Sequence, residues 1–200
     1  MNSEPKFEAV LMRHGQTEWS ASGRHTGNTD IPLTPEGEVE AAAMTPHISG
    51  HRYELVLTSP LERARKTCEL VGLGERAQIR EDLREWDYGD YEGLTSPQIH
   101  ELDPNWNLWR DGCPGGDSPD DVSARCDRVI TELLAQASGG DGDAIVFAHG
   151  HILRSLGARW CGLPVAAGAH LLLSTAAASS LSFEHQIPAI KFWNRTSQDR

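Results

Sequence analysis

A chain of 200 residues, 38% hydrophobic and 24% charged, has the composition of a soluble globular protein, and at this length one domain buries about 70% of its unfolded surface. The formal net charge of −11, with no Lys/Arg cluster, argues against a nucleic-acid binder. No apolar run approaches the roughly 18 residues that span a bilayer.

Residues 7–12 read as a first buried strand, ending in Val10, Leu11 and Met12. The loop through Pro32 is rich in Gly, Ser, Thr and Asn. Thr34-Pro35 then offers an N-cap and a first-turn proline for a helix to about residue 48. Residues 54–58 form a second buried strand. Ser59-Pro60-Leu61-Glu62 repeats cap and proline, with a capping-box glutamate, for a helix to about Val71 that Gly72 stops. Residues 86–117 carry Tyr, Trp, Gly and Pro but little periodicity, and are expected to form a small lid insertion with short helical pieces.

Ser118-Pro119-Asp120-Asp121 opens a helix to about Ala137, with Val122, Cys126, Val129, Ile130 and Leu133 on one face. A glycine-rich turn at 139–142 precedes a third strand, 144–148, apolar throughout as a central strand is. A helix over 151–160, late strands at 180–183 and 189–193, and a frayed polar tail after Asn194 complete the chain. There is no internal repeat and no linker, so residues 1–200 are expected to be a single domain. The alternation predicts an α/β three-layer sandwich, with a mostly parallel central sheet and helices on both faces.

In such folds ligands sit at the carboxyl ends of the strands. Arg13-His14 follows the first strand, Ser59 and Arg63 the second, and His149-Gly150 the third, so distant segments converge on one edge. A neutral imidazole attacks phosphorus readily, and a guanidinium holds phosphoryl oxygens with a planar fork of donors. Gly15 removes a Cβ where the backbone must turn close to a ligand. Phosphoryl transfer needs a nucleophile, cations around the equatorial oxygens and an acid for the leaving oxygen. His14 is the candidate nucleophile, through a phosphohistidine. Arg13, Arg63 and His149 are candidates to surround the phosphoryl oxygens, with the start of the second helix adding its dipole. Glu85 is the candidate acid, since a carboxyl among aromatic rings facing a dianion favours its protonated form. Taken singly, each has a plainer reading: His14 and His149 as strand-end histidines, Glu85 as solvated, Arg63 as a helix-surface charge.

Five segments in order carry a resemblance across nearly the whole chain: Arg13-His14-Gly15-Gln16-Thr17-Glu18-Trp19, Thr26-Gly27-Asn28-Thr29-Asp30-Ile31-Pro32-Leu33-Thr34-Pro35-Glu36-Gly37, Thr58-Ser59-Pro60-Leu61-Glu62-Arg63-Ala64-Arg65-Lys66-Thr67, Glu85-Trp86-Asp87-Tyr88-Gly89-Asp90-Tyr91-Glu92-Gly93 and His149-Gly150-His151. The chain resembles the histidine phosphatase superfamily, in the branch with cofactor-dependent phosphoglycerate mutases and related phosphatases. The resemblance implies that His14 is phosphorylated, that Glu85 donates the proton, and that Arg13, Arg63 and His149 bind phosphate. It further implies substrate contacts from Gln16, Ser20, Thr26, Gly27, Tyr88 and the Gly150 N–H. Ser20 is a departure, since the mutases usually carry Asn there, though a hydroxyl can still donate.

A mutase needs a basic lid, and residues 94–117 hold one cation, Arg110. That favours water as acceptor and a phosphatase, with a phosphoglycerate mutase or a non-catalytic phospho-ligand-binding module as alternatives. Residues 101–117 look like the subgroup with broad-specificity actinobacterial acid phosphatases and the fungal sedoheptulose-1,7-bisphosphatase, so phosphorylated sugars or sugar bisphosphates are the expected substrates. Trp106 and Trp109, three apart, read most simply as packing under the lid. A zinc hydrolase using His14, His25, His149 and His151 lacks a ligand set with metal spacing, so neither metal nor cofactor is expected. The expected partner is a small phosphorylated substrate, with no nucleic acid and no membrane, and a homo-oligomer is compatible with the sequence. Cys68, Cys113, Cys126 and Cys161 form no Cys-x-x-Cys pair, and residues 1–6 show no secretory pattern, so the expected location is cytoplasmic.

Overall fold

In the computed structural model, which describes residues 7–139 and 142–199, one six-stranded sheet organises the chain. β1 (Ala9–Arg13) lies between β4 (Asp143–Ala148) and β5 (Ala178–Glu184); β2 (Tyr53–Thr58) and then β3 (Gln78–Ile79) extend the β4 side, and β6 (Ile187–Arg195) closes the other edge. The strands β1 to β4 pair in parallel, whereas β5 and β6 are antiparallel.

Side chains on a strand alternate between the faces of the sheet, so an all-apolar strand must be covered twice. Ala9 and Leu11 of β1, with Ala144, Val146 and Ala148 of β4, enter one core cluster; Val10, Met12, Ile145 and Phe147 enter the other. The first face is covered by α7 (Pro119–Gly139), through Val122, Cys126, Val129 and Leu133, and by α8 (Gly150–Trp160), through Ile152, Leu153, Leu156 and Trp160. The opposite face receives Met44 and Ile48, from the end of α2 (Pro35–Ala43) and from α3 (Thr45–Ile48), and Cys68 of α4 (Glu62–Leu70). The expected three-layer α/β architecture is the observed one.

Local chemistry moved several boundaries. The helix expected over 34–48 is broken at Met44. Pro46 has no N–H for the Ala42 carbonyl, which accepts the Thr45 hydroxyl instead (2.8 Å). The second helix starts at Glu62 rather than beside Ser59. Its first N–H is capped from the loop by Asp30 Oδ1 (2.8 Å), which puts a carboxylate where helix-dipole help for phosphate was expected. The two-residue strand β3 had no sequence signal. The late strands are longer than expected, because His185 and Gln186, both at positive φ (49° and 69°), turn the chain tightly between them. Gly139 ends α7, while Gly140 and Asp141 of the expected turn, like residues 1–6, lie outside the described residues.

Residues 86–117 contain α5 (Ser96–Leu102) and α6 (Leu108–Asp111), after a short helix α1 (Glu18–Ala21) much earlier in the chain. Trp86, Tyr88, Tyr91, Ile99, Trp106 and Leu108 from this segment belong to the same core cluster as α7 and α8. The segment is a wall built into the core. Among the described residues, no helix is long and apolar enough to cross a membrane.

Candidate active site

The backbone ladders continue past the strand ends. His14 N–H donates to the Ala148 carbonyl (3.0 Å) and Ser59 N–H to the Phe147 carbonyl (2.9 Å), so the residues after β1, β2 and β4 emerge side by side. The rings of His14 and His149 lie 5.2 Å apart. Gly15 permits this tight entry: a Cβ there would stand 2.1 Å from the Gly37 carbonyl oxygen.

His14 Nδ1 lies 2.7 Å from the Gly15 carbonyl. A carbonyl only accepts, so Nδ1 carries the proton and the Nε2 lone pair is left for attack. Burial, then the Arg63 and Arg13 charges, hold this imidazole well below its ordinary value. It is a neutral ring with one nitrogen open.

His14 opens onto a cavity of about 170 Å³. Of the expected site residues, Arg13, His14, Ser20, Thr26, Glu85, Tyr88 and Gly150 line it, whereas Gln16, Gly27, Arg63 and His149 do not. Arg13 donates Nη1–H to the Leu173 carbonyl (2.6 Å), and its buried Nε has no partner. Gly150 leaves room for that guanidinium, since a Cβ there would stand 3.2 Å from Arg13 Cζ. Glu85 accepts three backbone N–H bonds: Oε1 from Trp86 (3.0 Å) and Ile152 (2.8 Å), Oε2 from His151 (2.9 Å). The first turn of α8 therefore holds the carboxylate at the cavity wall.

Arg63 and His149 form a fully buried pair next to His14, outside the cavity lining. Arg63 Nε–H donates to His149 Nδ1 (3.1 Å), and its Nη groups donate to the carbonyls of Thr29 (3.0 Å), Thr26 (3.1 Å) and Gly27 (3.0 Å). An arginine cannot accept, so His149 carries its proton on Nε2 and donates to Ser59 Oγ (2.7 Å). Burial, then the Arg63 charge, keeps His149 neutral as well. The opposite side of the 26–29 loop is held by Glu92, whose carboxylate accepts Gly27 N–H (2.9 Å) and Thr29 N–H (3.0 Å). Gly27 N–H is thus engaged within the protein. Ser20 Oγ accepts from Thr17 N–H (2.9 Å) and donates to the Thr17 carbonyl (3.0 Å), closing a capping box with Thr17. Gln16 accepts from the Thr34 hydroxyl (3.1 Å), away from the cavity.

The sequence reading passed over Arg24 and Arg154, and considered His25 and His151 only as metal ligands; all four line the cavity. The Tyr88 hydroxyl and His151 Nδ1 are hydrogen-bonded (2.7 Å), and the His25 ring lies 4.7 Å from Tyr88. Behind them Trp106 meets His25 edge-on at 5.7 Å, and Trp109 meets His151 at 5.4 Å. The two tryptophans pack, and what they pack against is the cavity wall. The adjacency Arg24-His25-Thr26 was a usable signal, because it joins a cation to a residue already suspected. Among the described residues, no group of three or more His, Cys, Asp and Glu is placed to hold a metal ion.

Burial depresses His25 to about 4 and His151 well below 6.5. With His14 and His149, these side chains stay neutral in the fold but take up protons below about pH 6.5 when unfolded. Their contribution is therefore fully present above that pH and is lost as pH falls towards the depressed folded values. From these histidines, thermal melting is expected to hold from pH 7.5 to about 6.5 and to fall from there to pH 5, and a flat or rising midpoint below pH 6.5 would contradict the neutral assignments.

The model of the histidine phosphatase superfamily, branch 1, matches residues 9–196. An acid phosphatase of Mycobacterium tuberculosis is 38% identical over 180 residues, covering 89% of this chain and 87% of that protein. The sedoheptulose 1,7-bisphosphatase of Saccharomyces cerevisiae is 41% identical over 184 residues, covering 78% and 68%. The solved structure of the open reading frame Rv3214 from Mycobacterium tuberculosis superposes with a TM-score of 0.92 at 36% identity, over 96% of this chain and 99% of that one. On the match over nearly its whole length, and on these relatives, the chain belongs to the histidine phosphatase superfamily.

Proposed function

We propose that this protein hydrolyses small phosphate monoesters, with phosphorylated sugars and sugar bisphosphates as its substrates, through a phosphohistidine. The observation that carries the reading is a neutral, buried His14 whose Nε2 lone pair is left open beside the unpartnered Nε–H of Arg13 and the Glu85 carboxyl. His14 Nε2 attacks phosphorus as the ester P–O bond breaks, and Glu85, protonated when the dianionic ester is bound, gives its proton to the leaving oxygen and becomes the carboxylate. Water then attacks the phosphohistidine and gives its proton to Glu85, which returns free phosphate and neutral His14. Arg13 faces the phosphoryl oxygens, and the Arg63–His149 pair next to His14 supports it with positive charge.

Charge favours a substrate with a second anionic group. Arg24 and Arg154 line the same cavity, and neither is ion-paired with a carboxylate among the described residues: Arg24 lies over Trp19, and Arg154 donates to the Gly168 and Ala169 carbonyls. A single phosphate at His14 leaves both cations uncompensated in a protein of net charge −11. The four cysteines are free thiols, three of them buried, which supports a cytoplasmic setting.

A panel of sugar mono- and bisphosphates with 3-phosphoglycerate, read by phosphate release and isomer analysis, tests this. Bisphosphates are expected to give the highest kcat/KM. Arg24→Gln should lower the bisphosphate-to-monophosphate ratio of kcat/KM about 10-fold, as loss of a charge-assisted hydrogen bond does. Phosphoglycerate interconversion without phosphate release would assign a mutase, and an inert protein that binds the esters would assign a binding module.

A further inference from the structure

The acid is held at two levels. Its carboxylate is fixed by the first turn of α8, as described, and its backbone is fixed by α7. Arg125, in the second turn of α7, donates Nη1–H to the Arg84 carbonyl (2.7 Å) and to the Asp82 carbonyl (3.3 Å). Its Nη2 reaches the Glu85 carbonyl (3.4 Å) and makes a close ion pair with Asp117. The same Asp117 Oδ2 accepts the Asp87 N–H (3.0 Å), and Asp117 N–H donates back to the Asp87 carbonyl (2.9 Å). One guanidinium thus ties the chain before Glu85, Glu85 itself and, through Asp117, the chain after it.

This arrangement is not that of a surface salt bridge. The Arg125 and Asp117 side chains are only 14% and 20% exposed, and Arg125 Nε is buried without a partner. A guanidinium suits the task because it presents donors to several acceptors in one plane, which an ammonium cannot do. The clasp joins both ends of the 86–117 segment to α7. Arg125 lies outside the cavity lining, so it touches no substrate.

We propose that Arg125, with Asp117, is a positioning residue for the proton donor, and that the pair sets how well Glu85 reaches the leaving oxygen. The proposal rests on the reading of Glu85 as that donor. An acid displaced by a fraction of an ångström fails most where protonation matters most, with poor leaving groups. A nitrophenolate leaves with little protonation. An alkoxide does not.

The test compares wild type, Arg125→Lys, Arg125→Met, Asp117→Asn and Glu85→Gln on 4-nitrophenyl phosphate, phenyl phosphate and a sugar phosphate. Folding is checked by circular dichroism. Arg125→Met and Asp117→Asn are expected to lower kcat on the sugar ester at least about 10-fold more than on the nitrophenyl ester, with KM nearly constant and Arg125→Lys intermediate. If Arg125→Met does not fold, Arg125→Lys and Asp117→Asn carry the comparison. Equal losses on all esters in these variants, or no loss, would overturn the proposal provided Glu85→Gln still discriminates between leaving groups. If Glu85→Gln does not discriminate either, Glu85 is not the donor and the underlying reading fails with it.

Discussion

Replacement of His14 by alanine is expected to reduce phosphate release by roughly 10⁴-fold or more, the scale on which removal of a nucleophile acts. The expectation follows from a fixed tautomer. With Nδ1–H held by the Gly15 carbonyl, a neutral ring that lines the cavity has Nε2 open for attack. The variant should fold, because Ala removes a ring whose hydrogen bond is to its own neighbour and leaves the His14 N–H bond to Ala148 in place. Acid quenching of wild type with ³²P-labelled substrate should trap an acid-labile phosphoprotein that His14→Ala cannot form. A labelled variant, or wild-type turnover without His14, would end the mechanism proposed above.

Arg63→Ala is expected to damage stability as much as activity. The side chain is fully buried and its guanidinium serves three carbonyls of the 26–29 loop and His149 Nδ1. Removing it strands His149 Nδ1 and the Gly27 carbonyl in the interior and frees the part-buried Thr26 and Thr29 carbonyls, at a cost of about 3–4 kcal/mol overall. For a chain of this size that corresponds to roughly 10 °C in melting temperature. Arg63→Lys should recover little, since one ammonium cannot reach acceptors spread over four residues. If Arg63→Ala melts within about 2 °C of wild type while losing activity, Arg63 acts on the phosphoryl group and not through the loop.

These variants mark the line between what was readable and what was not. The strand cores at 9–13 and 144–148 and the long helix from Pro119 were legible because burial leaves a periodic trace in the residues themselves. Thr34 and Ser118 announced their helices correctly, since a cap acts within three residues. The same rule misplaced the start of α4, where the cap came from Asp30, 32 positions away. Gathering Arg13, His14, Glu85 and Gly150 at one cavity was legible as strand-end chemistry plus a family pattern.

The roles of the polar residues around them were not. Arg63 and His149 were expected to surround the phosphoryl oxygens, and what the sequence did not show is that both are fully buried and bonded to each other outside the cavity lining. The holding role of Glu92, which stood in a family segment, and that of Arg125, which stood in none, left no mark in sequence, because a charged residue that binds backbone groups looks the same as a solvated one. Arg24, His25, His151 and Arg154 became neighbours only when the loop after β1 was laid against the first turns of α8.

Sequence by itself therefore determined the layers of the sheet, the order of its elements and the chemistry at their ends, since these follow from local periodicity, capping and residue type. Tertiary structure alone decided which nitrogen of His14 is free, which carboxylate holds which N–H, and which arginines line the cavity. A buried donor must find its acceptor across the fold, and that choice depends on how distant segments pack together.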